Sequence, residues 1–121
     1  MKKFRFRKFQ VYKDALVFRK DVRKMVFDYF PKEEHFILGD QTIRAATSVV
    51  LNIAEGADRS TDKDFANFLN KSHTSLNEIV SCLDVAYMEK YISLEVHTVF
   101  LVRAEKLANQ LTAFRKALLE K

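Results

Sequence analysis

The chain has 121 residues, of which 48% are hydrophobic and 31% charged, with only 2 glycines and 1 proline. That length suits one domain, and the apolar share excludes a disordered chain; so few turn-formers argue against a sandwich or barrel, whose many tight turns need glycine and proline. The net charge of +5 is all N-terminal, because Lys2, Lys3, Arg5, Arg7 and Lys8 fall within the first eight residues with no acid among them and the rest of the chain balances. The charge therefore marks an arm and not a basic domain.

The sequence reads as an arm, residues 1–10, followed by a helical domain, residues 11–121. In the first helix, expected over 12–29, Ala15, Phe18, Val22, Met25 and Tyr29 repeat at alternating steps of three and four and form one stripe. Phe30-Pro31 ends it, since a residue before proline is driven out of the helical region. The second helix is expected over 40–55, with Asp40 as N-cap, Gly56 as the left-handed residue past its end, and Ile43, Ala46, Val50 and Ile53 as its apolar stripe. The third opens at Ser60 or Thr61, with Asp62 and Asp64 at the positive end of the dipole, and runs to about Lys90. Its seam is Phe65, Leu69, Ser72, Leu76, Ile79, Leu83 and Ala86. The fourth begins at Ser93 and carries Phe100, Ala104, Leu107, Leu111, Phe114 and Leu118 in the same rhythm. Four such segments with short connections predict an all-α, antiparallel up-down four-helix bundle.

Signals of catalysis are absent from the residues. His35, His73 and His97 are isolated, without the Glu-x-x-His pattern of a di-metal bundle. Cys82, the single cysteine, lies deep in the third helix and has no in-chain disulfide partner. Two glycines cannot build a phosphate loop. No apolar run approaches the roughly 18 residues of a membrane span, and Lys13 and Asp14 interrupt any signal-peptide core. The expectation is a cytoplasmic protein that is not an enzyme, with no metal, no cofactor and no membrane partner.

Two polar features stand out. Gln41, Arg44, Ser48, Asn52 and Glu55 line one face of the second helix. Such a stripe is either a solvated face or a polar network toward another helix or subunit. The specific expectation is an Arg44–Glu78 ion pair, with Ser75 joining it; if partly buried, loss of one partner would cost on the order of 3 kcal/mol. The arm interleaves bases with rings, from Lys3 and Phe4 through Arg5, Phe6, Arg7 and Lys8 to Phe9. Bases attract phosphates and rings stack on nucleobases. Phe4 is the expected stacking ring, Phe6 and Phe9 are expected to pack on the bundle, and five phosphate contacts would give a log–log salt slope of about −3.5 on single strands.

Phe30-Pro31-Lys32-Glu33-Glu34, then Gln41 and Arg44-Ala45-Ala46-Thr47-Ser48-Val49, then Asn52-Ile53-Ala54-Glu55-Gly56 and Arg59 follow one another in an order that resembles the four-helix-bundle proteins encoded by intervening sequences of bacterial 23S ribosomal RNA. Val11-Tyr12-Lys13-Asp14-Ala15 and Ser75-Leu76-Asn77-Glu78-Ile79 extend the likeness over most of the chain. Tyr12 replaces the family's usual tryptophan, Ile43 the first of a common arginine pair, Val50 a frequent proline and Thr74 a frequent glycine. The resemblance implies a helical bundle whose relatives form ring-shaped homopentamers. It also implies kinship with the nucleic-acid-binding accessory proteins of diversity-generating retroelements.

These readings converge on a non-enzymatic, homo-oligomeric bundle associated with RNA through its arm, Lys2, Lys3, Phe4, Arg5, Arg7 and Lys8. The competing reading is a protein scaffold with no direct nucleic-acid role. Val17, Phe27, Phe68, Val80, Val99 and Val102 fall outside the single seams, and their apolar surface favours self-association.

Overall fold

A computed structural model describes residues 3–121. Four helices carry the chain: α1 (Gln10–Tyr29), α2 (Leu38–Ala57), α3 (Asp62–Met88) and α4 (Leu94–Leu119). A 3-10 turn, Arg5–Lys8, precedes α1, and a second, Lys32–Glu34, joins α1 to α2. Cross-helix contacts pair rising residue numbers with falling ones. Asp14 meets Gln110 while Asp21 meets Arg103; Val49 meets Ser72 while Gly56 meets Phe65 and Phe68; Ala66 meets Arg115 while Asp84 meets His97. Neighbouring helices therefore run in opposite directions, and α1 and α4 are the most loosely joined of the neighbours.

The apolar seams become the core. Phe18 and Val22 of α1, Ile53 of α2, Leu69, Ile79 and Leu83 of α3, and Leu111 of α4 are all fully buried. Tyr29 is the exception on the α1 stripe: it is exposed, and Val26 and Phe30 fill the core where the chain turns toward Pro31. Phe68, expected among the surplus apolar residues, is buried, with the Arg59 guanidinium 4.3 Å and the Lys71 ammonium 4.1 Å from its ring centre. Val17, Val99 and Val102 are exposed on the single chain, and Val80 is half-buried.

Two helix starts follow the expected chemistry. Thr61 Oγ1 accepts the Asp64 N–H at 3.1 Å, and Ser93 Oγ accepts the Val96 N–H at 3.1 Å, so each satisfies a donor that the first turn leaves unpaired. The start of α2 does not. Ile37 occupies the N-cap without a side-chain bond, and Asp40 lies inside the first turn. The end of α3 closes by a different device. Lys90 adopts a left-handed φ of 63°, its N–H donates to the Tyr87 carbonyl and the Tyr91 N–H donates to the Ala86 carbonyl at 2.8 Å. This pair of bonds is a Schellman closure, with lysine at the position that usually selects glycine.

Gly56 does not terminate α2. It is helical and buried, and a Cβ there would lie 2.6 Å from Phe68 Cβ and 2.9 Å from Phe65 Cδ1. What it supplies is the close approach of α2 to α3. Gly56→Ala gains about 1 kcal/mol of helix propensity but forces apart atoms fixed near the α3 backbone, so a net loss of about 1–2 kcal/mol is expected by urea denaturation. Lys90→Gly relieves the left-handed lysine and is expected to raise stability by about 1 kcal/mol in the same measurement.

Candidate nucleic-acid interface

The arm is not a free tail. The Arg7 N–H donates to the Phe4 carbonyl at 3.1 Å and the Phe9 N–H to the Phe6 carbonyl at 3.0 Å, which closes the 3-10 turn. Phe6 packs edge-on against Tyr12, with ring centres 5.0 Å apart. Phe9, Phe65 and Phe114 form an aromatic triangle with centres 5.2–6.2 Å apart. Phe6 and Phe9 therefore pack on the bundle as their place in the sequence predicts, and the boundary between arm and domain falls inside a continuous packed structure.

Arg5 departs from its expected role. Its guanidinium donates to the Ala57 carbonyl at 3.0 Å and lies 5.6 Å and 5.7 Å from the Phe9 and Phe65 ring centres. It fills one of the carbonyl vacancies at the C-terminus of α2, where a cation also meets the negative end of the dipole. Sequence reasoning missed this because the partner lies 52 positions away. Lys3, Arg7 and Lys8 are exposed, as is Phe4 at 61%, its backbone in the left-handed region with φ 62°. Lys2 lies outside the described residues. The arm thus offers Lys3, Lys8 and one open ring at a defined place: the end of the bundle where α2 stops and α3 starts.

The α2 stripe divides into two kinds of residue. Gln41, Arg44 and Glu55 are exposed, whereas Ser48 and Asn52 are half-buried. Arg44, with a side chain 80% accessible, pairs with Asp40 one turn earlier at 2.9 Å. The expected Arg44–Glu78 pair does not form, and Glu78 is exposed. A partner on the same helix needs no exact register between helices, which is why Asp40 wins. Glu55 pairs with Arg59 at 3.0 Å in the same way.

The centre of the stripe does bridge two helices. Asn52 Nδ2 donates to the Ser48 carbonyl at 2.9 Å and to Ser48 Oγ at 3.0 Å. Ser75 Oγ shares a hydrogen bond with Ser48 Oγ at 2.9 Å and approaches the Lys71 carbonyl at 3.1 Å. A proton chain from Asn52 through Ser48 and Ser75 to Lys71 satisfies each hydroxyl with its single hydrogen. Beneath it, Ser72 Oγ donates to the Val49 carbonyl at 2.9 Å, fully buried. The small residues Ser48, Ser72 and Ser75 thus continue the close α2–α3 approach begun at Gly56.

The remaining polar groups have local roles. Burial pushes the Cys82 thiol up, so it stays protonated. The amide N–H groups of Gln110 and Gln10 hold the Asp14 carboxyl below its usual range and tie α1 to α4 beside an open groove of about 220 Å³. No group of three or more metal-ligating side chains gathers among the described residues, and no helix is long and apolar enough to cross a membrane.

Arg44→Ala is therefore expected to change stability by less than about 0.5 kcal/mol, the range of an exposed pair. Ser72→Ala, which removes a buried donor, is expected to cost about 1 kcal/mol. Urea unfolding of both variants checks the contrast. A loss near 3 kcal/mol for Arg44→Ala would restore the buried-pair reading.

Comparison with known proteins agrees with the fold. A solved structure from Bacteroides thetaiotaomicron, described as a protein with unknown function from the S23 ribosomal protein family, is similar to this chain with a TM-score of 0.77 at 23% identity, covering 88% of this chain and 98% of its own. No curated protein sequence matches. The family model described as 23S rRNA-intervening sequence protein matches residues 7–113. The chain belongs to the 23S rRNA-intervening sequence protein family.

Proposed function

We propose that this protein is a non-enzymatic, self-associating bundle that binds RNA through its N-terminal arm. The observation that carries this reading is the fixed arm, where Phe6 and Phe9 are packed while Lys3, Lys8 and Phe4 remain exposed together at one end. Pre-ordering the arm lowers the entropy lost on binding. The remainder of the chain is charge-balanced, so attraction to phosphate originates in the arm. Contacts of this kind recognise a backbone and not a sequence.

Self-association is part of the same proposal. Val17, Val99 and Val102 present branched apolar side chains to water on α1 and α4, and a second copy covering them removes that cost. The assembly we propose is the pentamer expected from the sequence resemblance. Light scattering is expected to give a multiple of 14.2 kDa, and a monomer at micromolar concentration contradicts it. The balanced body together with these valines favours the second reading, a scaffold for protein partners.

RNA binding measured at two salt concentrations separates the readings. With Arg5 committed to the bundle, contacts from Lys3 and Lys8 give a log–log slope of about −1.4 for each arm engaged on single-stranded RNA, against about −3.5 for five contacts. Substitution by alanine of Lys3, Phe4 and Lys8 together keeps the packed residues in place and is expected to lower affinity at least about tenfold, as loss of two phosphate contacts and a stacked base requires. Unchanged affinity removes the arm from the mechanism, and absence of RNA binding by the unaltered chain leaves the scaffold.

A further inference from the structure

The end of the bundle opposite the arm has the complementary chemistry. The α1–α2 and α3–α4 connections meet there, with the Phe30 and Tyr91 rings 5.9 Å apart. Phe36 and Met88 are 80% and 77% exposed, and Ile37, next to Phe36, and Leu94, the first residue of α4, are exposed in the same two connecting regions. Carboxylates accompany this apolar surface. Glu33 and Glu34 lie in the α1–α2 connection and Glu89 caps the end of α3, the two connections that the Phe30–Tyr91 contact brings together, and burial first and then the fields of these acids push the Tyr91 phenol up. Glu95 adds a fourth acid in the first turn of α4, against the two lysines of the connections, Lys32 and Lys90.

We infer that this acidic, apolar end is a docking site for the N-terminal arm of a second copy of this chain. The exposed features of the arm match it in kind: Phe4 for the apolar centre, Lys3 and Lys8 for the carboxylates. Docking within one molecule is excluded by length. α3 spans 27 residues, or about 40 Å, and Phe6 and Phe9 hold the arm at the far end. The contact is therefore between molecules and joins unlike surfaces, the arm of one copy to the acidic end of the next. Such a head-to-tail contact closes into a ring when its rotation permits and otherwise extends into a chain. An arm is a small surface, so each contact is weak and salt-sensitive. The contact stands without RNA, and because the same bases face either anionic partner, RNA displaces it.

The test is sedimentation velocity of the full chain without RNA, at about 0.05 M salt and at about 1 M, where screening acts within about 3 Å. Association is expected at low salt and is lost at high salt, down to whatever assembly the valine surfaces maintain. A chain with Lys3→Glu and Lys8→Glu, and a separate chain with Glu33→Lys and Glu89→Lys, each lose the salt-sensitive part. All four positions are exposed, so both chains fold, and their thermal transitions check it. One chain carrying all four substitutions regains association at low salt, because each reversed arm meets a reversed end. Mass independent of salt overturns the inference. Loss on reversing the acidic end but not the arm also overturns it, since another segment then occupies the site. Failure of RNA binding with intact charge-swap rescue contradicts the RNA proposal alone.

Discussion

The close approach of α2 to α3 at Gly56 sets the positions on which the arm depends. With only a hydrogen on Gly56 facing α3, the Phe65 and Phe68 side chains and the Phe65 carbonyl lie against the α2 backbone. Phe65 then stands beside the C-terminus of α2, where Ala57 presents its carbonyl outward. That ring and that carbonyl form the seat for Arg5, and Phe9 and Phe114 complete it from α1 and α4. Farther along the same contact, Ser48 and Ser75 share a hydrogen bond and Ser72 donates to the Val49 carbonyl, where larger side chains would hold the helices apart. One tight helix pair therefore fixes both the interior and the placement of the basic segment.

Much of this was legible in the sequence, for reasons that differ by element. The seams of α3 and α4 repeat in threes and fours over many turns, and a pattern of that length has one physical reading. Thr61 and Ser93 were legible because capping is local chemistry between residues three apart. Gly56 was not, because glycine past a helix end and glycine beneath a neighbouring helix look alike until the neighbour is in place. Arg44 was misassigned for a related reason: choosing Glu78 required the register of α2 against α3, while Asp40 lay one turn away. The hydrogen bonds at the centre of the stripe differ from the expected contact: Ser75, expected beside an Arg44–Glu78 pair, bonds to Ser48, because the register of α3 against α2 sets its neighbour.

The charge distribution takes on a different meaning once the arm has a fixed position. Part of the composition-level excess of +5 stands as exposed Lys3 and Lys8 at one end of a bundle whose other end carries exposed Glu33, Glu89 and bare apolar side chains. Arg5 divides the arm by function, because its guanidinium is held by the Ala57 carbonyl and the Phe9 and Phe65 rings. The bases left exposed are few, so affinity for a polyanion is modest for each chain and rises where several chains act on one strand.

The arm is an ordered part of the bundle. Backbone order parameters of residues 5–9 measured by NMR on the full chain test it directly. Values near those of the helices, about 0.85, are expected, because packed rings and the Arg5 anchor restrain the segment on the fast timescale. Values below about 0.6 would describe a flexible tail and contradict the account.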